Sequence, residues 1–256
     1  MWQRDGWEVR SRIGVLTPHA DVGPESEIRA MAPATVGVHA ARVPFGAMAT
    51  GGAMDPTIPL APVAAFVEPP HIDDAVSLLA AAPVAVIGIG FTSSAYVTGA
   101  EAEERLVDRL QTRSSGTPVV ATCAAAVSAL RRLEAESIAL IDPPWFDDEL
   151  NRLGAEYFLS QGFEVPFRAA CDLPSDQHGI NPSQLYQWIL THVPDSCEAV
   201  FVGGNGFRSV GVIAALEEDL ARPVLTANQV LLWGMLQATR SRITVEGYGR
   251  LFTLTE

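Results

Sequence analysis

The sequence predicts an α/β fold of two similar lobes, each a mostly parallel sheet flanked by helices, with a cleft between them. Short apolar runs alternate with helical patterns along most of the chain, the signature of strands joined through helices. The second half repeats the β/α rhythm of the first without obvious sequence identity, which suits two like units facing one another. At 256 residues, 48% of them hydrophobic and 18% charged, the chain can bury a sizeable core as one two-lobed unit or two small domains.

In chain order, strands are expected at Arg12–Thr17 and Thr35–Val43. The stretch Phe45–Pro70, rich in Gly, Pro, Ala and Met, reads as irregular, either a lid or a plain linker. Pro69-Pro70 then starts a helix over His71–Ala81. Val84–Ile89 is an apolar run typical of a buried parallel strand, followed by the loop Gly90–Gly99 and a helix over Glu101–Arg113. Next come a strand at Pro118–Thr122, a helix at Ala124–Glu134, a strand at Ser137–Ile141 and a helix at Asp147–Gln161. A strand at Phe163–Ala170 and a helix at Pro182–His192 precede a second buried strand, Ala199–Val202. Its loop, Gly203–Ser209, leads into a helix over Val210–Ala221, a strand at Pro223–Thr226 and a last helix over Asn228–Thr239.

Composition removes several classes of function. A net charge of -13 argues against nucleic acid or an anionic membrane surface as a partner, while leaving room for a small acidic ligand held by local donors. No stretch reaches the roughly 18 apolar residues of a membrane span. The opening MWQRDGWEVRSR lacks an apolar signal core, and the three cysteines, Cys123, Cys171 and Cys197, have no metal-like spacing. A cytoplasmic location is therefore expected. Gly88-Ile89-Gly90 lacks the third glycine and the acidic partner of a dinucleotide fingerprint, and neither a phosphate-cradling GxxxxGK loop nor a metal-ligand cluster is present in the sequence.

Two junctions stand out: Gly90-Phe91-Thr92-Ser93-Ser94 after the first buried strand, and Gly203-Gly204-Asn205-Gly206 after the second. In open α/β sheets such strand-to-helix junctions bind ligands, because free backbone N–H groups meet there. The surrounding sequence resembles the aspartate/glutamate racemase superfamily in its maleate isomerase and arylmalonate decarboxylase branch. RIGVLTPHADVGPESEIRAMAPATVGVHAARV resembles the opening strand and Pro-Ser-Ser-Asn-type turn of that branch. GFTSSAYVTG resembles its first Cys-Thr-Ser loop, and GNGFRSVGVIAALEEDLARPVLTANQVLLW its second Cys-Thr-Asn-Leu-Arg-Thr loop and the helix beyond. Together the matches run from about Arg12 to Trp233.

The resemblance implies two lobes, residues 1–117 with 228–256 and residues 118–227, with the last helix packing back on the first. It also implies cofactor-independent chemistry and, by analogy of shape, a homodimer. Family racemases and isomerases set one thiol on each face of the substrate, since a thiolate attacks carbon and carries protons near neutral pH. The decarboxylases keep only the second thiol. By this resemblance Phe91 and Gly204 occupy the thiol positions here, so a two-thiol mechanism is lost. The anion-binding bed is expected to persist in Thr92, Ser93 and Ser94, and in a nest of donors from Gly204, Asn205 and Gly206.

For other proton carriers the sequence offers His19 and Asp21, in the turn where the resemblance implies a carboxylate-binding Asn. His19 is either an acid or base facing the cleft or a solvated loop histidine. Asp21 would repel a carboxylate and so hints at an altered ligand. Trp145 stands where the decarboxylases carry a Tyr hydroxyl, and with Phe91 it suggests a flatter, more apolar ligand or a filled site. Cys123 reads as a buried structural thiol, and Arg208 as either a contact for an acid or a partner of Glu217 or Glu218. Two functions follow: a cofactor-independent lyase or isomerase acting on a small carboxylate or carbonyl compound without cysteine, or a binding or regulatory protein that kept the cleft and lost the chemistry.

Overall fold

Eight strands sort into two sheets of four, and both sheets are parallel throughout. The structure is a computed structural model and describes residues 3, 5–239 and 243–254. In the first sheet β1 (Ser11–Pro18) lies between β2 (Val36–Val43) and β3 (Val86–Ile89), and β4 (Val119–Ala121) pairs with β3. In the second, β5 (Ser137–Asp142) lies between β6 (Glu164–Ala170) and β7 (Ala199–Val202), with β8 (Val224–Thr226) beyond β7. Offset by four, the strand orders are identical, so the repeated rhythm of the sequence is a repeated topology.

The helices are α1 (Gly23–Met31), α2 (Leu60–Phe66), α3 (His71–Ala80), α4 (Thr92–Thr98), α5 (Ala100–Arg113), α6 (Thr122–Arg132), α7 (Asp148–Ser160), α8 (Pro182–His192), α9 (Ile213–Leu220) and α10 (Ala227–Ala238). The four buried positions of β3 and of β7 carry only apolar residues and glycine, as strands covered on both faces require. Helix α10 packs against β3 and α6. A Cβ on Gly88 of β3 would sit 2.7 Å from Met235 Sδ and 3.0 Å from Leu231 Cδ1, so the bare glycine lets α10 lie against the sheet.

Four expectations need correction. The strand expected to open the second lobe, β4, pairs through Ile87↔Val119 with the first sheet, and α6 packs on α10 and β4. The chain therefore crosses between Leu133 and Glu136, later than the expected boundary at 117. The loop after β3 is already helical as α4, and Gly99, at φ 81°, breaks it from α5. The irregular stretch from Phe45 contains α2, which Pro59 precedes in extended conformation. The helix expected over Val210–Ala221 opens as a tight 3-10 turn, Val210–Val212, before α9.

Candidate functional site

Each sheet reverses its strand order beside its first strand, and at such switch points the loops leaving neighbouring strands part to form a crevice. The loops after β1 and β3 and those after β5 and β7 meet across the two lobes. They enclose a cavity lined by Pro18 and Asp21, Gly90–Ser93, Trp145 and Phe146, and Gly204–Gly206. The strap 44–59 closes it with Phe45, Met48, Met54 and Ile58. The strap is fastened to the second lobe, where Ile58 N–H donates to Trp145 C=O (3.0 Å) and Ser175 Oγ to Pro56 C=O (2.7 Å). Residues 44–59 cover the cavity, while α2 belongs to the core. The cavity volume is about 30 Å³, room for roughly two waters.

Phe91 makes the cavity narrow. Its ring stacks at 4.0 Å on Phe66 and meets Phe45 edge-on at 4.9 Å (centroid distances). Phe45 and Phe91 wall the cavity with Phe66 packed behind them at a 33° tilt to Phe91, and aromatic contacts add about 0.5–1.5 kcal/mol each to area burial. Opposite, Trp145 lines the cavity and packs against Phe207 at 5.7 Å. Its indole N–H has no partner among the described residues, so it is available to a ligand.

The hydroxyl bed is only partly available. Thr92 lines the cavity, yet its N–H and hydroxyl both donate to Asn205 Oδ1, at 2.8 and 2.5 Å. Asn205 Nδ2 in turn donates to Asn228 Oδ1 (2.9 Å) and Thr122 Oγ1 (3.2 Å). The hydrogen-bonding capacity of the Asn205 amide is taken up, so Asn205 braces the lobes rather than offering a free donor. The brace continues, since Asn228 Nδ2 donates to Glu27 Oε2 and Glu27 Oε1 accepts from the N–H groups of Ser209 and Val210. Ser94, expected in the site, donates its hydroxyl to Phe91 C=O within its own turn and does not line the cavity.

What remains free is narrower than the sequence suggested. The Ser93 hydroxyl lines the cavity and has no partner among the described residues, and neither do the N–H groups of Gly204, Asn205 and Gly206. Gly204 holds φ 78°, and a Cβ there would meet Pro143 Cγ at 2.7 Å. Backbone conformation and the proline ring both reserve the position for glycine.

Of the two expected proton carriers, the structure brings one to the cavity. His19 lies on the outer side of the strap, exposed, with Nδ1 accepting from Phe45 N–H at 3.1 Å. Beyond β1 the chain turns at His19-Ala20, which leaves His19 exposed and Asp21 buried. Asp21 is buried, accepts from Gly23 N–H at 2.7 Å and from the Gln177 side chain, and burial pushes its pKa up to about 6. No other titratable side chain lines the cavity among the described residues. Gln177, from the 3-10 turn Gln177–Gly179, was not singled out in the sequence; its loop has no periodicity, and the one local signal is Asp176 capping the turn.

All three thiols lie elsewhere. Cys123 is fully buried behind α4, with Sγ 3.5 Å from Thr92 C=O and its pKa driven up by burial. Three further buried carboxyls flank the site without lining it: Glu27, Glu103 and Asp142, each pushed up to about 7 by burial. Asp142 accepts from Asn151 and Tyr96, and Glu103 from Tyr157.

Comparisons with known proteins bear on the family and the fold. The sequence model described as Amdase, arylmalonate decarboxylase, matches residues 65–252. A maleate isomerase from Pseudomonas putida is 25% identical over 251 residues, covering 94% of this chain and 97% of that protein. Among solved structures, a cysteine-to-alanine variant of a Pseudomonas putida maleate isomerase with maleate superposes at a TM-score of 0.83 and 21% identity, covering 95% of this chain and 97% of that one. An arylmalonate decarboxylase superposes at 0.76 and 17%, covering 94% and 99%. These superpositions establish the shared fold.

Proposed function

This chain belongs to the arylmalonate decarboxylase family, and on that premise we propose that its interlobe cavity is a cofactor-independent lyase or isomerase site that uses Asp21 in place of thiols. The carrying observation is that Asp21 is the one titratable side chain on the cavity wall among the described residues. The substrate class is a small carboxylate or carbonyl compound, as maleate is for the isomerase relative. Phe91 and Gly204 stand at the thiol positions of the resemblance, which leaves proton transfer to the carboxyl group.

In the isomerase form, the Asp21 carboxylate takes a proton from a carbon beside the carbonyl. The C–H electron pair moves into an enolate, whose oxygen accepts from the Ser93 hydroxyl and the N–H groups of Gly204–Gly206. Asp21, now protonated, returns the proton to the same or a conjugated carbon. In the lyase form, the bond to a departing carbon dioxide breaks first, its electron pair forms the enediolate, and protonated Asp21 delivers the proton. A pKa of about 6 keeps both protonation states accessible near neutral pH. With one acid–base group on one side, proton delivery is confined to one face, which disfavours racemisation through two opposed carriers.

The second reading is a binding protein without turnover. It is favoured by the small cavity and by the aromatic wall around Phe91. Incubation with 2-oxo acids, maleate and arylmalonates in D2O, followed by NMR, separates the two. The enzyme reading expects deuterium at carbon, or loss of carbon dioxide, that falls about a hundred-fold or more in Asp21→Asn. Thermal-shift binding without either change favours the binding protein.

A further inference from the structure

A second cleft, of about 460 Å³, opens between α1, the Gln177–Gly179 turn and the Val210–Val212 turn. Gln177 and Gly206 line both this cleft and the inner cavity, so the Gln177 side chain is the partition between them. A Cβ on Gly206 would come 2.0 Å from Gln177 Nε2 and 2.9 Å from Asp21 Oδ2. The missing side chain is what lets the amide and the carboxyl meet at that point.

Arg208 and His178 stand on the outer side of the partition, both exposed and both lining the cleft. Arg208 makes no hydrogen bond or ion pair among the described residues, although the chain carries a net charge of -13. Of the acids nearby, Glu27 lines the same cleft, but both it and Glu217 are engaged. Glu27 is held by Ser209, Val210 and Asn228, and Glu217 accepts from Val224 N–H and Arg250 N–H. The pairing of Arg208 with Glu217 weighed from sequence is therefore absent.

We propose that this cleft is an outer subsite for an oxyanion at the far end of the ligand whose carbonyl end occupies the inner cavity, with Arg208 supplying the charge, the His178 ring a hydrogen-bonding partner and Gln177 setting the reach. The proposal rests on the inner-cavity reading above and narrows its substrate class to elongated acids with the second oxyanion several bonds from the carbonyl.

Two probes test it. Inorganic phosphate reports on the outer subsite alone through the ring signals of His178, assigned with His178→Asn. Saturable shifts are expected, weakened about five-fold in Arg208→Gln, the size of an exposed ion pair. Signals that do not move, or that move alike in both proteins, overturn the subsite. Calorimetry with 2-oxoadipate and its distal methyl ester reads the link between the sites: the diacid should bind about five-fold tighter than the ester in the wild type and equally in Arg208→Gln. Equal binding of acid and ester to the wild type overturns the subsite while the inner cavity stands. Arg208-dependent phosphate binding with no binding of either oxo acid overturns the inner-cavity reading and the link built on it.

Discussion

Replacing Asp21 by asparagine turns the burial of one carboxyl into a measurable pH effect. Folding raises the Asp21 pKa from 3.8 to about 6, so the folded state holds its proton over a range in which the unfolded chain has released it. The associated stability is fully present below about 3.8 and is lost as pH rises through about 6. A shift of about 2 units at 1.36 kcal/mol each amounts to about 3 kcal/mol. Asparagine keeps the acceptor for Gly23 N–H, and Gln177 can turn its amide to accept from the new Nδ2, so the variant should fold with the same contacts and no titration. Urea unfolding of both proteins between pH 4 and pH 8 measures the outcome. The stability difference should move in favour of Asp21→Asn by about 3 kcal/mol over that range, with most of the change between pH 4 and 7. A difference independent of pH would refute the assignment of Asp21 as a buried, desolvated carboxyl, and with it the case for Asp21 as the proton carrier.

The wild type should itself lose thermal stability from about pH 5 to pH 8, because Glu27, Glu103 and Asp142 are raised in the same sense; a calorimetric fall on the order of 20 °C is expected. Asn205→Ala strands the Thr92 N–H and the Asn228 and Thr122 oxygens, and a loss of about 3 kcal/mol in urea unfolding is expected from buried groups left unpartnered. Phe91→Ala should cost about 3–5 kcal/mol while enlarging the cavity, so thermal-shift responses to aromatic acids should strengthen as the fold weakens. Gly204→Cys forces a side chain onto φ 78° and into Pro143, so a stability loss of about 1–3 kcal/mol without isomerase activity on maleate is expected.

Continuous apolar runs made both central strands and both flanking loops legible in the sequence, because a strand buried on two faces has few other ways to be written. Strand allegiance was not legible. Three residues, Val119–Ala121, form β4, and its choice of sheet is decided by pairing with β3 rather than by its own side chains. The direction of His19 depends on a turn in which residues two apart face opposite ways, which composition does not encode. Asn205 lies at the junction after β7, but its bracing role depends on Thr92, Thr122 and Asn228, which lie 113, 83 and 23 residues away in the chain. Gln177 reaches the cavity from a loop with no pattern of its own, and only the tertiary fold brings it beside Asp21.

The return of α10 to the first sheet dictates an order of events during synthesis. The second lobe is one uninterrupted piece from Glu136 to Thr226, so it can complete its sheet as soon as that piece has left the ribosome. The first lobe cannot. Ile13, Val15, Val36, Val38 and Val86 share their core with Leu231, Leu232, Met235 and Leu236, so an apolar sheet face made early stays uncovered until nearly the whole chain exists. Truncation ahead of α10 would leave that face bare, the kind of surface that draws chaperones and seeds aggregation.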